Sequence, residues 1–308
     1  MLFFDDTPSS ACTTASDVQD LAAVDQASPP TDQAPAPTPW PEARRHVIQM
    51  SGGLGSFFAA VRVAERYGTS AMTLLFADTT VEDPDLHRFL RDAAAFLELE
   101  VVRVCDGRAP FDVFDDVHFL GNSRVAPCTK FLKQKPCRDW LKANCDVADT
   151  AVYIGIDHFE ARRTPAILDE WKPWRAGFPM CDPPYWDKDT MIAECRALGI
   201  EPPLLYKLGF KHNNCGGICV RAGMTQWRHA LKVFPERFAE AERREAEFRA
   251  KHGDHTILRQ QRNGLRRNLT LTQLRQRAET VQTSIFDPDQ GLEQTGEEHT
   301  SGGERRSA

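Results

Sequence analysis

Hydrophobic and polar positions repeat in a regular order between residues 47 and 156. Val47-Ile48-Gln49-Met50 is an apolar-leaning run suited to a buried strand. Ser51-Gly52-Gly53 makes a turn, and 57–67 reads as a helix. The continuous apolar run over 71–77 suits a strand covered on both faces, and it ends at Asp78-Thr79-Thr80. Over 85–97, Leu86, Phe89, Leu90, Ala93, Ala94 and Leu97 recur at helical spacing. A third strand is predicted over 100–104, a helix over 127–143 and a fourth strand over 151–156. This alternation predicts an α/β fold with a doubly wound parallel sheet.

Ligands of such sheets sit beyond the C-terminal ends of the strands. Three polar stretches fall there: Ser51 to Ser56, Asp78-Thr79, and Asp157-His158-Phe159-Glu160 with Arg162 and Arg163. Strand, glycine turn and helix start together make an anion site, because glycine lets backbone N–H groups approach a phosphate and the helix dipole favours negative charge. Ser51 and Ser56 add hydroxyls. An ordinary tight turn has the same glycines, and the polar strand ends around it favour the ligand reading. Lys130, Lys133 and Lys135 make a basic face on the 127–143 helix, which reads either as part of the site or as solvated surface.

Beyond the sheet the pattern changes. Residues 178–210 are Pro-rich with one short helix, and read as a substrate-covering insert. Residues 227–251 predict a long charged helix broken near Pro235, and 223–281 as a whole a charged helical region. Its stretch 257–277 carries Arg259, Arg262, Arg266, Arg267, Arg275 and Arg277 with little acid. That cluster reads as a contact for a polynucleotide backbone, or as a helix pairing with the acids of 240–247. Residues 1–44 and 282–308 have compositions that cannot pack a core and read as disordered arms around a folded domain over 45–222.

The formal charge of −6 over 308 residues gives no global sign of nucleic acid. No apolar run reaches the roughly eighteen residues of a membrane span, and Met1-Leu2-Phe3-Phe4-Asp5-Asp6 lacks the basic start of a secretory signal. A cytoplasmic location is expected. Nine cysteines then point to metal or thiol chemistry before disulfides. Cys215-Gly216-Gly217-Ile218-Cys219 forms a chelating loop, open to three readings: a metal or cluster site, a redox-active pair, or buried thiols. Because zinc and iron–sulfur centres usually take four ligands, Cys128, Cys137, Cys181 and His212 are candidates to complete a site. Cys12, Cys105, Cys145 and Cys195 stand alone.

Several segments resemble the PP-loop ATP pyrophosphatase superfamily, and within it the PAPS-reductase-like branch. Ser51-Gly52-Gly53-Leu54-Gly55-Ser56 is similar to its Ser-Gly-Gly-x-Asp-Ser loop, and Phe76-Ala77-Asp78-Thr79 to its Phe-x-Asp-Thr segment. Gly155-Ile156-Asp157 with Glu160 and Arg163, the stretch from Trp186 to Asp189, and Leu205-Tyr206-Lys207-Leu208-Gly209-Phe210 resemble its later segments, in family order. The resemblance spans about 47–219. It implies a bound adenine nucleotide, ATP with Mg²⁺, held by Ser51, Gly52, Gly53, Gly55, Ser56, Asp78, Thr79 and Gly155, with Asp78, Lys133 and Arg163 in catalytic roles. Cys128, Cys215 and Cys219 resemble ligands of a [4Fe–4S] cluster, with Zn²⁺ as the alternative. The implied chemistry is adenylylation followed by sulfur transfer to a nucleic acid or small molecule.

Three departures qualify this. Thr129 replaces a second adjacent cysteine, and three residues rather than two separate the later pair. No cysteine follows Cys219, which removes the C-terminal nucleophile of sulfonucleotide reductases and leaves that activity only with an external thiol. Gly55 stands where the superfamily has Asp, which favours a nucleotide- or nucleic-acid-associated module without turnover. Finally, Gln282-Thr283-Ser284-Ile285-Phe286 resembles the short peptides that dock bacterial sliding clamps.

Overall fold

The computed structural model describes residues 42–262 and 264–285, with the side chains of Arg262 and of 281–285 outside that description. Cys12, the greater part of the Pro-rich arm, Phe286 of the clamp-like peptide and the tail beyond it lie outside the described residues. The chain divides into two compact units, the first ending at Arg221 and the second beginning at Ala222.

The first unit runs β1 (Arg45–Gln49), α1 (Leu54–Tyr67), β2 (Met72–Asp78), α2 (Pro84–Phe96), β3 (Val101–Cys105) and α3 (Pro110–Asp116). A π-helical stretch (Thr129–Gln134) leads into α4 (Lys135–Asn144), then β4 (Thr150–Ile154), a 3₁₀ stretch (His158–Arg163), α5 (Thr164–Trp171), β5 (Arg175–Gly177), α6 (Lys188–Ala197) and α7 (Leu204–Lys207). All five strands are parallel, in the order β3-β2-β1-β4-β5. This is the expected doubly wound α/β sheet.

Buried side chains line both faces of the sheet. Ile48, Leu74, Phe76 and Tyr153 pack with α1 and α2 through Phe57, Phe58, Phe89 and Ala93. On the other face Val47, Leu75 and Val152 pack with Cys137, Leu141 and Trp171. Strand residues covered on both sides must be apolar throughout, which is why these runs are continuous. The 178–210 stretch departs from its reading as a cover. Met180, Met191, Cys195 and Ile200 are buried in the cluster with α1, so α6 is a core helix. Its sparse apolar spacing hides this, because two buried side chains suffice to seat it.

In the second unit α8 (Met224–Val233) and α9 (Pro235–His252) are separated by Phe234, at φ −131°, ψ 65°, just before Pro235. The arginine-rich stretch is not one helix. It forms an antiparallel hairpin, β6 (Leu258–Arg262) and β7 (Leu265–Leu269), followed by α10 (Leu271–Ile285). The two-residue connection Asn263-Gly264 is the turn signal that favours a hairpin over a helix, and Gly264 has φ +76°. Glu245, 1% exposed, fixes the root of this hairpin by accepting from the N–H of Ile257 (2.9 Å) and of Leu271 (2.6 Å). α10 extends four residues beyond the expected end at 281. Among the described residues no helix is long and apolar enough to cross a membrane.

Candidate functional site

β1 and β4 are neighbours, yet their following segments belong to opposite halves of the strand order, so the topological switch point lies between their C-terminal ends. The 51–56 turn and Gly155 meet there. A Cβ on Gly155 would lie 2.4 Å from Ser56 N, and one on Gly55 2.7 Å from the Gly155 carbonyl oxygen. Two backbones therefore touch where side chains would separate them. Gly52 has φ +74° and Leu86 packed against it, 2.4 Å from where a Cβ would stand. The helix behind this turn begins at Leu54 with Gly53 as its N-cap, a residue with no side chain to cap it, and only the Leu54 N–H meets a side chain, the Tyr206 hydroxyl. An uncapped helix start leaves backbone donors for an anion.

The two serines differ in role. The Ser56 hydroxyl, 2% exposed, donates to Gly53 O (2.8 Å) and accepts from the Ser51 N–H and hydroxyl (3.1 Å each). It holds the turn closed. Ser51 lies exposed at its lip. Asp78 is also engaged: Oδ1 accepts from Thr80 N (2.7 Å), and Oδ2 receives the Arg103 guanidinium at 2.9 and 2.8 Å. Its carboxylate anchors the end of β2.

A second group forms beside the end of β2. Glu82, with a side chain 1% exposed, accepts from the Thr79 hydroxyl (2.9 Å), from Lys133 Nζ (3.2 Å) and from the Cys215 N–H. Lys133 turns inward from the π-helical stretch, whereas Lys130 and Lys135 are exposed. Burial opposes the charge on Lys133, but Glu82 and the nearby thiols outweigh it and raise its pKa. Cys128, Cys215 and Cys219 share this neighbourhood. Burial, aided by Cys219, pushes the Cys128 thiol up to about 11. The Cys215 thiol hydrogen-bonds to Cys219, and with the Arg221 backbone and Lys133 it outweighs burial and lowers the Cys219 pKa. Cys215, Gly216 and Gly217 all have positive φ, so the backbone coils back on itself between the thiols.

The donor chemistry suits a thiolate-bound metal, but the spacing does not. Among the described residues no three of His, Cys, Asp and Glu are arranged to hold a metal ion. The nominated fourth ligands stand elsewhere. Cys181 donates to Ile156 O at 3.4 Å, and Cys137 is buried in the apolar layer under the sheet. His212 lies among Glu160, Lys188, Arg163 and Asp157, with its pKa lowered by burial. Arg163, exposed, pairs with Glu160 at 2.5 Å in that same group.

Residues 211–219 connect the two groups, since His212 belongs to the β4 side and Cys215 to the β2 side. Between them the buried Asn213 donates to Gly52 O (2.8 Å). Tyr206 is hydrogen-bonded to backbone at Leu54 and Asn213, and burial pushes its phenol up to about 12. Glu82, Asn213 and Tyr206 are the residues whose site roles sequence reading missed. Only Tyr206 lay in a motif, and nothing in the spacing of the other two marks them. Two buried polar atoms along this edge have no hydrogen-bond partner: His158 Nδ1 and Asn214 Oδ1. Buried polar groups are almost always paired, and a bound ligand supplies such partners.

No family model matches the chain, and no curated protein is significantly similar to it. Among solved structures, the phosphoadenylyl-sulfate (PAPS) reductase of Candida auris, in a phosphate complex, matches with a TM-score of 0.39 and 17% identity. The match covers 57% of this chain and 81% of that one. It is too distant to transfer a residue role.

Two outcomes follow from the ion pairs and thiols. Breaking a buried pair costs about 3–5 kcal/mol, and an exposed one about 0–1 kcal/mol. Glu82→Gln therefore lowers unfolding stability by about 3 kcal/mol, since Lys133 keeps partial access to water, while Glu160→Gln changes it by less than about 1 kcal/mol; urea titration reads both. In the metal-free protein, Cys219 is alkylated by iodoacetamide with a pH midpoint below the ordinary thiol value of about 8.5. Lys133→Met and Cys215→Ala each move that midpoint upward.

Proposed function

We propose that the chain binds an adenine nucleotide at the β1–β4 switch point and uses it to adenylylate a substrate for sulfur transfer. One observation carries the reading: a glycine-built, uncapped helix start lies at the switch point. The unpartnered polar atoms beside it support a ligand there. The resemblance of five ordered segments to PP-loop enzymes supports an adenine nucleotide over other phosphates.

In the proposed reaction a substrate oxygen attacks the α-phosphorus of ATP. The bond from that phosphorus to the bridging oxygen breaks, and pyrophosphate leaves with the Mg²⁺ that accompanies ATP. The backbone N–H groups at the start of α1 stabilise phosphate charge without having to reorganise. A second nucleophile then displaces AMP, and the Cys128, Cys215 and Cys219 group beside the site favours sulfur in that role. Lys133 keeps its charge next to those thiols, favouring thiolate over thiol. The acceptor class is a nucleic acid or a small molecule. No step is assigned to a [4Fe–4S] cluster or Zn²⁺, because the thiols lack the spacing of a complete site.

One observation favours a nucleotide-binding module without turnover. The superfamily's acid position is Gly55, and the Gly155 carbonyl leaves no room for a side chain there. Pyrophosphate release decides between the readings. The account expects pyrophosphate from ATP when an acceptor is supplied from cell extract. ATP binding without any pyrophosphate supports the module, and sulfite released from an adenylyl sulfate with thioredoxin supports a reductase. Gly53→Asp sharpens the binding test. Asp is a favoured N-cap and Gly53 has the extended backbone of one, φ −102°, ψ 161°. The variant keeps its thermal midpoint but loses at least about tenfold in ATP affinity, because its carboxylate stands in the phosphate position.

A further inference from the structure

The second unit carries a charge distribution that the nucleotide site does not use. Residues 222–285 hold thirteen Lys and Arg against seven Asp and Glu, a formal +6 in a chain of −6. Of the helical acids, Glu240 and Glu247 pair with Arg243, Glu242 and Glu279 with Arg275, and Glu236 stands at the far end of α9 from the hairpin root. Glu245 holds the hairpin root by its two backbone bonds. Asp254 pairs with Arg249 and Asn268. That leaves the hairpin without an acid of its own. Arg259, Arg266 and Arg267 are exposed, and beyond the backbone ladder none of their side chains has a hydrogen-bond or ion-pair partner among the described residues. The alternative of helix-type pairing with the acids of 240–247 is realised by Arg243 and Arg275 and not by these three.

The strand register sorts the side chains. Directly opposed residues share a face. Arg259↔Asn268 and Gln261↔Arg266 lie on one face, Leu258↔Leu269 and Gln260↔Arg267 on the other. Leu258 and Leu269 are buried at the root, and Arg277 holds Gln260 (2.7 Å) on that side. The opposite face is polar throughout, with Arg259, Gln261 and Arg266 available. Leu265, 60% exposed, stands next to the turn. An open hollow of about 490 Å³ at the hairpin is lined by Arg266, Arg267, Asn268, Thr270 and the Arg249–Asp254 pair.

We propose that the β6–β7 hairpin is a ribbon that enters the major groove of duplex DNA. Arg259 and Arg266 contact the phosphates from the polar face, Arg267 reaches a phosphate from the ribbon's other face, and Gln261 faces the base edges. A two-stranded ribbon fits the major groove of B-form DNA, about 12 Å wide, whereas the deep, narrow groove of A-form RNA excludes it. Five-residue strands reach about 17 Å, enough to cross that groove. Glu245 gives the ribbon a fixed root. The inference concerns the second unit alone and stands independently of ATP turnover.

The test is fluorescence anisotropy of a labelled 20-bp DNA duplex with the full chain, titrated between 50 and 200 mM NaCl. Each neutralised phosphate contributes about 0.9 to the slope of log K against log salt. The triple variant Arg259→Gln, Arg266→Gln, Arg267→Gln is expected to lower that slope by about 2 to 3 and the low-salt affinity by at least about tenfold. Arg243→Gln, which removes charge from α9, leaves the slope unchanged. Circular dichroism of the triple variant matches the parent, since the three side chains hold nothing in place. Equal DNA binding by parent and triple variant overturns the proposal. So does tighter binding to duplex RNA than to DNA, or binding to phosphatidylserine vesicles with none to DNA.

Discussion

The candidate site depends on one buried charge. Glu82 sits almost wholly out of water, and an isolated carboxylate there would cost several kcal/mol. Three groups from separate stretches meet that demand: the Thr79 hydroxyl after β2, the Lys133 ammonium from the π-helical stretch and the Cys215 N–H from the thiol loop. Because all three answer to the same carboxylate, the end of the sheet, a cationic side chain and the thiols are fixed in one place. The lowered pKa of Cys219 follows from this arrangement, through the Cys215 hydrogen bond and the Lys133 charge.

A second constraint is closeness of backbone. Gly155 and Gly55 allow β4 and the start of α1 to touch, and Asn213 ties the thiol loop to Gly52. The 51–56 turn and the thiol group thereby belong to one edge of the sheet. This accounts for Gly55 in physical terms: at that position contact with Gly155 excludes any side chain. It also separates positions that a motif treats alike. Ser56 closes the turn and Asp78 anchors a strand end, while Ser51 alone of these is exposed.

The alternation of strands and helices was legible in the sequence because strands covered on both faces must be continuous apolar runs, as at Leu74, Leu75 and Phe76. The tight turn at 51–56 was legible because glycines there serve backbone approach. Glu82 was not, since a single acid in a loop has no pattern until burial and Lys133 give it one. Asn213 was hidden for the same reason. The hairpin is hidden in the sequence because its closely spaced arginines suit a solvated helix equally well, and only Asn263-Gly264 carries a turn signal. The core position of α6 is hidden because Met191 and Cys195 are too few to make a visible apolar stripe.

The central claim is that a nucleotide sits where β1, β4 and α1 meet. A crystal structure of the chain with a non-hydrolysable ATP analogue tests it most directly. The account predicts phosphate oxygens on the backbone N–H groups that begin α1, and new hydrogen-bond partners for His158 or Asn214. An analogue bound away from the 51–56 turn, with those two side chains unchanged, would contradict it.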